Sequence, residues 1–219
     1  MADSLARAQL ARAANALRRA AQSPLPALLL LTDDDHLPDP QAAVAALPRG
    51  SLVVLRSREK RRRATLAKVL QQMAPRRSLI WIVADDPALA VSFDAAGAHF
   101  PERSISLAAN WRIRRPGWLI TCAAHSLRAC FRARCAGANA VLLSPVFPTA
   151  SHPGVTGFGG LRARIIARAA GLPVYGLGGV DALTARALSA APLAGLAAIR
   201  GLAVHNQGGD RCADNTANV

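Results

Sequence analysis

The sequence predicts an α/β fold, a single (β/α)8 TIM barrel with an N-terminal lead-in helix. Three observations predict it. Eight short apolar runs recur along the chain, at 27–32, 51–55, 79–84, 96–100, 118–122, 139–144, 174–177 and 195–199. They are apolar throughout rather than alternating, as expected of strands covered on both faces of a parallel sheet. Amphipathic stretches separate them, and polar residues follow each run, where barrel chemistry is placed. At 219 residues the chain has the length of one such domain.

Taken in order, residues 4–22 carry leucines at helical spacing among alanine and arginine and read as the lead-in helix, closed by Pro24 and Pro26. The expected layout is a helix within 1–26, a barrel over 27–204 and a disordered polar tail over 205–219. Helical candidates between the strands lie at 40–47, 59–73, 87–95, 104–110, 126–136, 158–170 and 181–190. Strand-end residues follow the same order. Asp33, Asp34 and Asp35 come after the first run, Arg56 and Arg58 after the second, Asp85 and Asp86 after the third. His99 and Glu102 stand at the fourth, His125 and Ser126 after the fifth, and Thr149, Ser151 and His152 after the sixth. Gly178 and Gly179 follow the seventh, Arg200 and Gly201 the eighth. Asp85 or Asp86, ahead of Pro87, also reads as a helix N-cap.

Two loops stand out. Ser144 to Gly154 breaks a buried strand into prolines, hydroxyls, a histidine and a glycine, and Gly176-Leu-Gly-Gly179 ends the next strand with exposed backbone. Hydroxyl-rich and glycine-rich loops at strand C-terminal ends suit a phosphorylated ligand.

Composition narrows the function classes. No run of about 18 or more apolar residues is present, so no membrane partner is expected. The N-terminus lacks the apolar core of a signal peptide, and a cytoplasmic protein is expected. Cys122, Cys130, Cys135 and Cys212 form no CxxC pair and read as free thiols. The net charge of +14 raises the question of nucleic acid, with a dense basic run from Arg56 to Arg63. No aromatic side chain interleaves with that run, as a stacking platform would require. Small anionic substrates and a solvated basic helix face account for the charge better, and nucleic acid is not the expected partner.

The series Gly137-Ala-Asn-Ala-Val-Leu-Leu-Ser-Pro-Val-Phe-Pro-Thr149, then Pro173-Val-Tyr-Gly-Leu-Gly-Gly-Val180, resembles the thiamine phosphate synthase and thiazole tautomerase family. Leu29-Leu-Leu-Leu-Thr-Asp33, Val83-Ala-Asp85, Gly97-Ala-His-Phe100 and Ala124-His-Ser126 resemble it in the same order, so the likeness covers about residues 27–203. The resemblance implies a (β/α)8 barrel that joins a hydroxymethylpyrimidine diphosphate to a thiazole phosphate, with Mg²⁺ and release of diphosphate. It implies that Arg56, Arg58 and His152 meet the diphosphate and that Asp85 holds the metal. Thr149, Ser151, Gly178, Gly179, Ile199 and Arg200 would bind the thiazole phosphate. Five family residues are replaced: a glutamine by Val54, an asparagine by Ala84, a second metal aspartate by Ser104, a pyrimidine-contacting serine by Ala123, and a lysine by His152. Glu102 is the nearest carboxylate to the lost aspartate. Pro145 stands where tautomerase relatives carry histidine. Because the losses fall mainly on the diphosphate half, the alternative is a weakened or non-catalytic, regulatory phosphate-binding barrel. A homo-oligomer is compatible with either reading.

Overall fold

A computed structural model describes residues 2–37, 39–149, 154, 156–189 and 191–204. Eight parallel strands close into one barrel in chain order: β1 (Leu28–Leu31), β2 (Leu52–Leu55), β3 (Ile80–Ala84), β4 (Gly97–Phe100), β5 (Leu119–Ala124), β6 (Ala140–Leu143), β7 (Val174–Gly176) and β8 (Gly195–Ala198). The seam is β1 against β8, with Leu29 opposite Ala197. Each sequence run therefore holds a strand, as a fold class with doubly covered strands requires.

Strand side chains alternate between two cores. Leu29, Leu52, Val54, Ile82, Leu142 and Ala197 fill the barrel interior, while Leu28, Leu30, Val53, Leu55, Trp81 and Val83 meet the outer helices. Tyr175 plugs the interior from β7, and its hydroxyl donates to the Pro26 carbonyl at 2.6 Å. Gly195 makes room for it: a Cβ there would lie 2.9 Å from the Tyr175 ring and 2.0 Å from the Ala27 carbonyl oxygen. Between β4 and β5 the interior turns polar, where His99 pairs in register with Thr121.

The outer layer consists of α1 (Ala2–Ala20), α2 (Pro40–Ala45), α3 (Lys60–Arg77), α4 (Pro87–Ser92), α5 (Ile105–Arg114), α6 (Leu127–Cys135) and α7 (Gly159–Ala169). Side-chain caps start four of them at the C-terminal end of a strand. Asp39 caps α2, Glu59 α3, Asp86 α4 and Ser126 α6. The N-cap ahead of Pro87 is thus Asp86, which leaves Asp85 for other contacts. One helical expectation is corrected: among the described residues of 181–190, the helical element is a 3-10 turn over Thr184–Leu188. Pro192 follows closely, and the residue before a proline is steered away from helical backbone. A second 3-10 turn beyond β7, Arg200–Leu202, follows β8.

The lead-in helix fills the gap this leaves. Leu10, Ala14 and Leu17 form a fully buried stripe at helical spacing, and α1 packs on β8, β1 and both 3-10 turns. Arg7 adds a hydrogen bond to the Ala203 carbonyl at 3.2 Å. Burial pushes the Cys122 and Cys130 thiols up to about 12 and about 11, so both are unreactive packing groups, whereas Cys135 is exposed. Cys212 and the tail over 205–219 lie outside the described residues. No helix among the described residues is long and apolar enough to cross a membrane. Because α1 completes an outer layer of seven helices, Leu10→Ala should destabilise the protein by about 2–5 kcal/mol in chemical denaturation. A loss under about 1 kcal/mol would show that α1 is not part of the folded unit.

Candidate active site

A cleft of about 970 Å³ opens at the C-terminal end of the barrel. It is lined by Arg56, Arg58, Asp85, Thr149, Gly178, Gly179, Ile199 and Arg200, so these expected residues share one mouth. Ser151 and His152 lie outside the described residues. The mouth is also lined by Asp33, Asp35, His36, Arg63, Arg103 and Asp181, which the sequence reading did not single out as ligands. Arg103 follows β4 as Arg56 follows β2, so the rule that selected strand-end cations would have found it.

On the side of β1 to β4 the mouth is built from ion pairs between neighbouring loops. Asp33, only 9% exposed, accepts from the Arg56 guanidinium, from His36 Nδ1 at 2.8 Å and from the backbone N–H groups of Asp35 and His36. Burial alone would raise the Asp33 carboxyl. The His36 side chain and N–H and the Arg56 charge outweigh it and hold the carboxyl below the ordinary carboxylate value. Asp34 accepts from the Arg58 N–H at 2.7 Å and from Ser57 Oγ at 3.2 Å, and pairs with Arg62 at 3.5 Å. Asp35 pairs with Arg58, Asp86 with Arg63 at 3.2 Å, and Asp85 with Arg103. The basic run is therefore not simply a solvated helix face: Arg56, Arg58, Arg62 and Arg63 each hold a carboxylate across the mouth.

Asp85 has left-handed backbone (φ +56°), and its N–H donates to the His99 carbonyl at 2.9 Å. Its side chain carries the Arg103 guanidinium. Ser104 offers no charge, and Glu102 is engaged by the His125 N–H at 2.8 Å and by Arg132 at 2.7 Å. Mg²⁺ prefers near-octahedral oxygen ligands and usually takes one or two carboxylates. A lone carboxylate already covered by a guanidinium does not fit that role. Among the described residues, one other group could hold a metal ion: ligand atoms of Asp33, Asp35 and His36 lie within 4.8 Å of one another. Two of its members, Asp33 and Asp35, hold arginines.

Across the mouth the construction changes from side chains to backbone. Gly178 (φ +91°) and Gly179 (φ +62°) turn away from β7 in left-handed conformation, and a Cβ on either would strike the loop after β6. The two loops are joined by Val146 N–H to Leu177 O at 2.8 Å and Phe147 N–H to Gly178 O at 3.0 Å. Among the described residues, neither the Gly178 nor the Gly179 N–H donates to another protein group. Successive N–H groups in such a turn form an anion-binding concavity. Arg200 is exposed at the end of β8 and, among the described residues, makes no ion pair.

The family model described as thiamine monophosphate synthase matches residues 28–202, from the first strand through the last 3-10 turn. The chain belongs to that family. It is 30% identical to the putative thiamine-phosphate synthase 2 of Aquifex aeolicus over 115 residues, which is 52% of this chain and 61% of that protein. It is also 30% identical to the thiamine-phosphate synthase of Thioalkalivibrio sulfidiphilus over 175 residues, covering 75% of this chain and 80% of that one. The solved thiamine phosphate pyrophosphorylase of Pyrococcus furiosus superposes with a TM-score of 0.66 at 24% identity, over 80% of this chain and 87% of that one. That structural likeness shows the barrel itself; the family model shows the family.

Two histidines line the floor of the family member's cleft. His99, 7% exposed, is held down at about 4, first by burial and then by the Arg56 charge, so it is neutral near pH 7. His125 Nδ1 lies 2.7 Å from the Ser144 carbonyl, so that nitrogen donates. A depressed value in the folded state means that the unfolded chain takes up the proton first. His99 therefore contributes stability above pH 6.5 that is lost as pH falls from 6.5 through about 4. Relative to wild type, His99→Gln should remove a slope of up to about 1.4 kcal/mol per pH unit across that window. Urea denaturation at steps between pH 7 and pH 4 measures it, and equal slopes for the two proteins would refute the buried neutral assignment.

Proposed function

We propose that the chain is a thiamine phosphate synthase-type transferase, which joins hydroxymethylpyrimidine diphosphate to thiazole phosphate. One observation carries the reading: a single cleft presents two different anion-binding halves. The half at β2 to β4 offers the guanidinium groups of Arg56, Arg58 and Arg103, suited to a diphosphate. The half at β6 to β8 offers Thr149, the Gly178 and Gly179 N–H groups and Arg200, suited to a single phosphate. Such an arrangement holds two phosphorylated molecules with their rings between them, and positioning of this kind is a large share of catalysis.

In the proposed reaction the C–O bond to the diphosphate breaks and its electron pair leaves with the diphosphate. The thiazole nitrogen then forms a bond to the pyrimidine methylene carbon. No proton has to move in this step, so the chemistry calls for no general base. Arg56 and Arg58 stabilise the departing negative charge. Neutral His99 adds no positive charge beneath a pyrimidine cation. Asp85 is covered by Arg103, and Asp33 and Asp35 by Arg56 and Arg58, so no step is assigned to Mg²⁺. The cytoplasmic setting expected of such an enzyme rests on this reading.

The alternative, a regulatory phosphate-binding barrel, is favoured by the same ion pairs, because carboxylates neutralise much of the diphosphate half. Incubating the protein with both phosphorylated substrates and following thiamine phosphate decides between them. Product formation supports the transferase; binding of thiazole phosphate in calorimetry without product supports the regulatory barrel. If the transferase operates, Arg200→Ala should raise KM for thiazole phosphate about tenfold while kcat changes less than about threefold. An unchanged KM would remove Arg200 from the phosphate site.

A further inference from the structure

The edge of the cleft between β3 and β4 has a distinct charge arrangement. Asp85 leaves β3 with its carboxylate on the Arg103 guanidinium, which arrives from the turn after β4. Asp86, next in sequence, is held by Arg63 from α3 at 3.2 Å, with Arg63 only 12% exposed. Both carboxylates at the end of β3 are thus neutralised by guanidinium groups fixed from either side. The pairing at Asp85 is also the more open of the two, with Arg103 71% and Asp85 43% exposed. A guanidinium has five N–H donors, and the Asp85 contact uses Nη2. The remaining donors belong to a side chain that lines the cleft.

We propose that Arg103 takes the place of a divalent cation at this edge and that its guanidinium, seated on Asp85, binds the diphosphate of the substrate directly. Diphosphate binding by this chain is then independent of Mg²⁺. The identity of the diphosphate rests on the transferase reading. Charge supports the substitution. Two carboxylates and one divalent cation sum to zero; so do the single Asp85 carboxylate and the Arg103 guanidinium, with Ser104 standing where the resemblance places the second carboxylate. Arginine also fits the task better than lysine would, because its planar fork can donate to a carboxylate on one edge and to phosphate oxygens on another. For Mg²⁺ to use Asp85 it would have to displace that guanidinium and find further oxygen ligands, while Glu102 is committed to His125 and Arg132.

The test is calorimetry of the full chain with inorganic pyrophosphate, in EDTA and in Mg²⁺. Wild type should bind in EDTA, and Mg²⁺ should change Kd by less than about threefold. Arg103→Ala should bind about tenfold more weakly in EDTA and recover with Mg²⁺, because Asp85 is then uncovered. Asp85→Asn should retain binding in EDTA. The proposal is overturned by absence of wild-type binding in EDTA, by tightening of about tenfold or more on adding Mg²⁺, by an unchanged Arg103→Ala, or by loss of binding in Asp85→Asn. Thermal melting of each variant shows that it is folded, as expected for two exposed positions. The assay for thiamine phosphate separates this proposal from the functional reading. Pyrophosphate binding in EDTA without any product in either condition sinks the transferase and leaves the Arg103 site standing. Product formed only with Mg²⁺ sinks the Arg103 site and leaves the transferase standing.

Discussion

The pairing of carboxylates with guanidinium groups between neighbouring loops is the interaction on which the top of this barrel depends. Asp33, Asp34 and Asp35 reach Arg56, Arg62 and Arg58; Asp86 reaches Arg63, Asp85 reaches Arg103, and Glu102 reaches Arg132. Each pair ties a strand end to the loop or helix of a neighbour. Most are exposed on at least one side, where a single pair contributes at most about 1 kcal/mol. Their importance lies in placement rather than in summed stability. The buried Asp33 fixes Arg56 and His36 from below, and that anchor sets the position of the first cation in the cleft. From β5 onward the same sewing continues through hydrogen bonds to backbone: His125 to Ser144, then the loop after β6 to the loop after β7.

The eight strands were legible in the sequence because a closed parallel barrel buries both faces of every strand, so each reads as an unbroken apolar run. The role of the lead-in helix was not, since nothing local shows that the described residues carry no full helix after β7 and β8. Only the closed barrel shows α1 lying against β8 and both 3-10 turns. The site was legible in part. Strand-end position alone brought Arg56, Arg58, Asp85, Thr149, Gly178, Gly179 and Arg200 to one mouth. The partners of those residues were hidden, because Asp33 and Arg56 stand in different repeats and local pattern carries no information about which carboxylate a given arginine will meet. Reading Arg56 to Arg63 as one basic run also obscured its division: Arg56, Arg58 and Arg62 turn toward β1, and Arg63 toward β3.

The two halves of the cleft present hydrogen-bond donors of different physical kinds. At Gly178 and Gly179 the donors are backbone N–H groups, whose direction is fixed by left-handed glycines wedged against the loop after β6. Such donors carry no net charge and cost little desolvation. At β2 to β4 the donors are guanidinium groups with full charge, and each charge is balanced by a carboxylate of the protein itself. Without those carboxylates, several arginines in one cleft would repel one another and resist assembly. With them the mouth assembles readily, at the cost of part of its attraction for a ligand.

That cost is smaller for arginine than for any other cation available to the chain. A lysine ammonium engaged by a carboxylate has spent its point charge, whereas a guanidinium keeps further N–H groups in a fixed plane. On the proposed function, a diphosphate arriving at Arg56, Arg58 and Arg103 meets donors that are already oriented by Asp33, Asp35 and Asp85, so little side-chain entropy is lost on binding. The carboxylates then act as positioning groups rather than competitors. On this argument the replacement of lysine and metal ligands in the diphosphate half is not simple erosion of the site. It is accompanied by arginines at Arg58 and Arg103 whose geometry is held by partners from the same mouth.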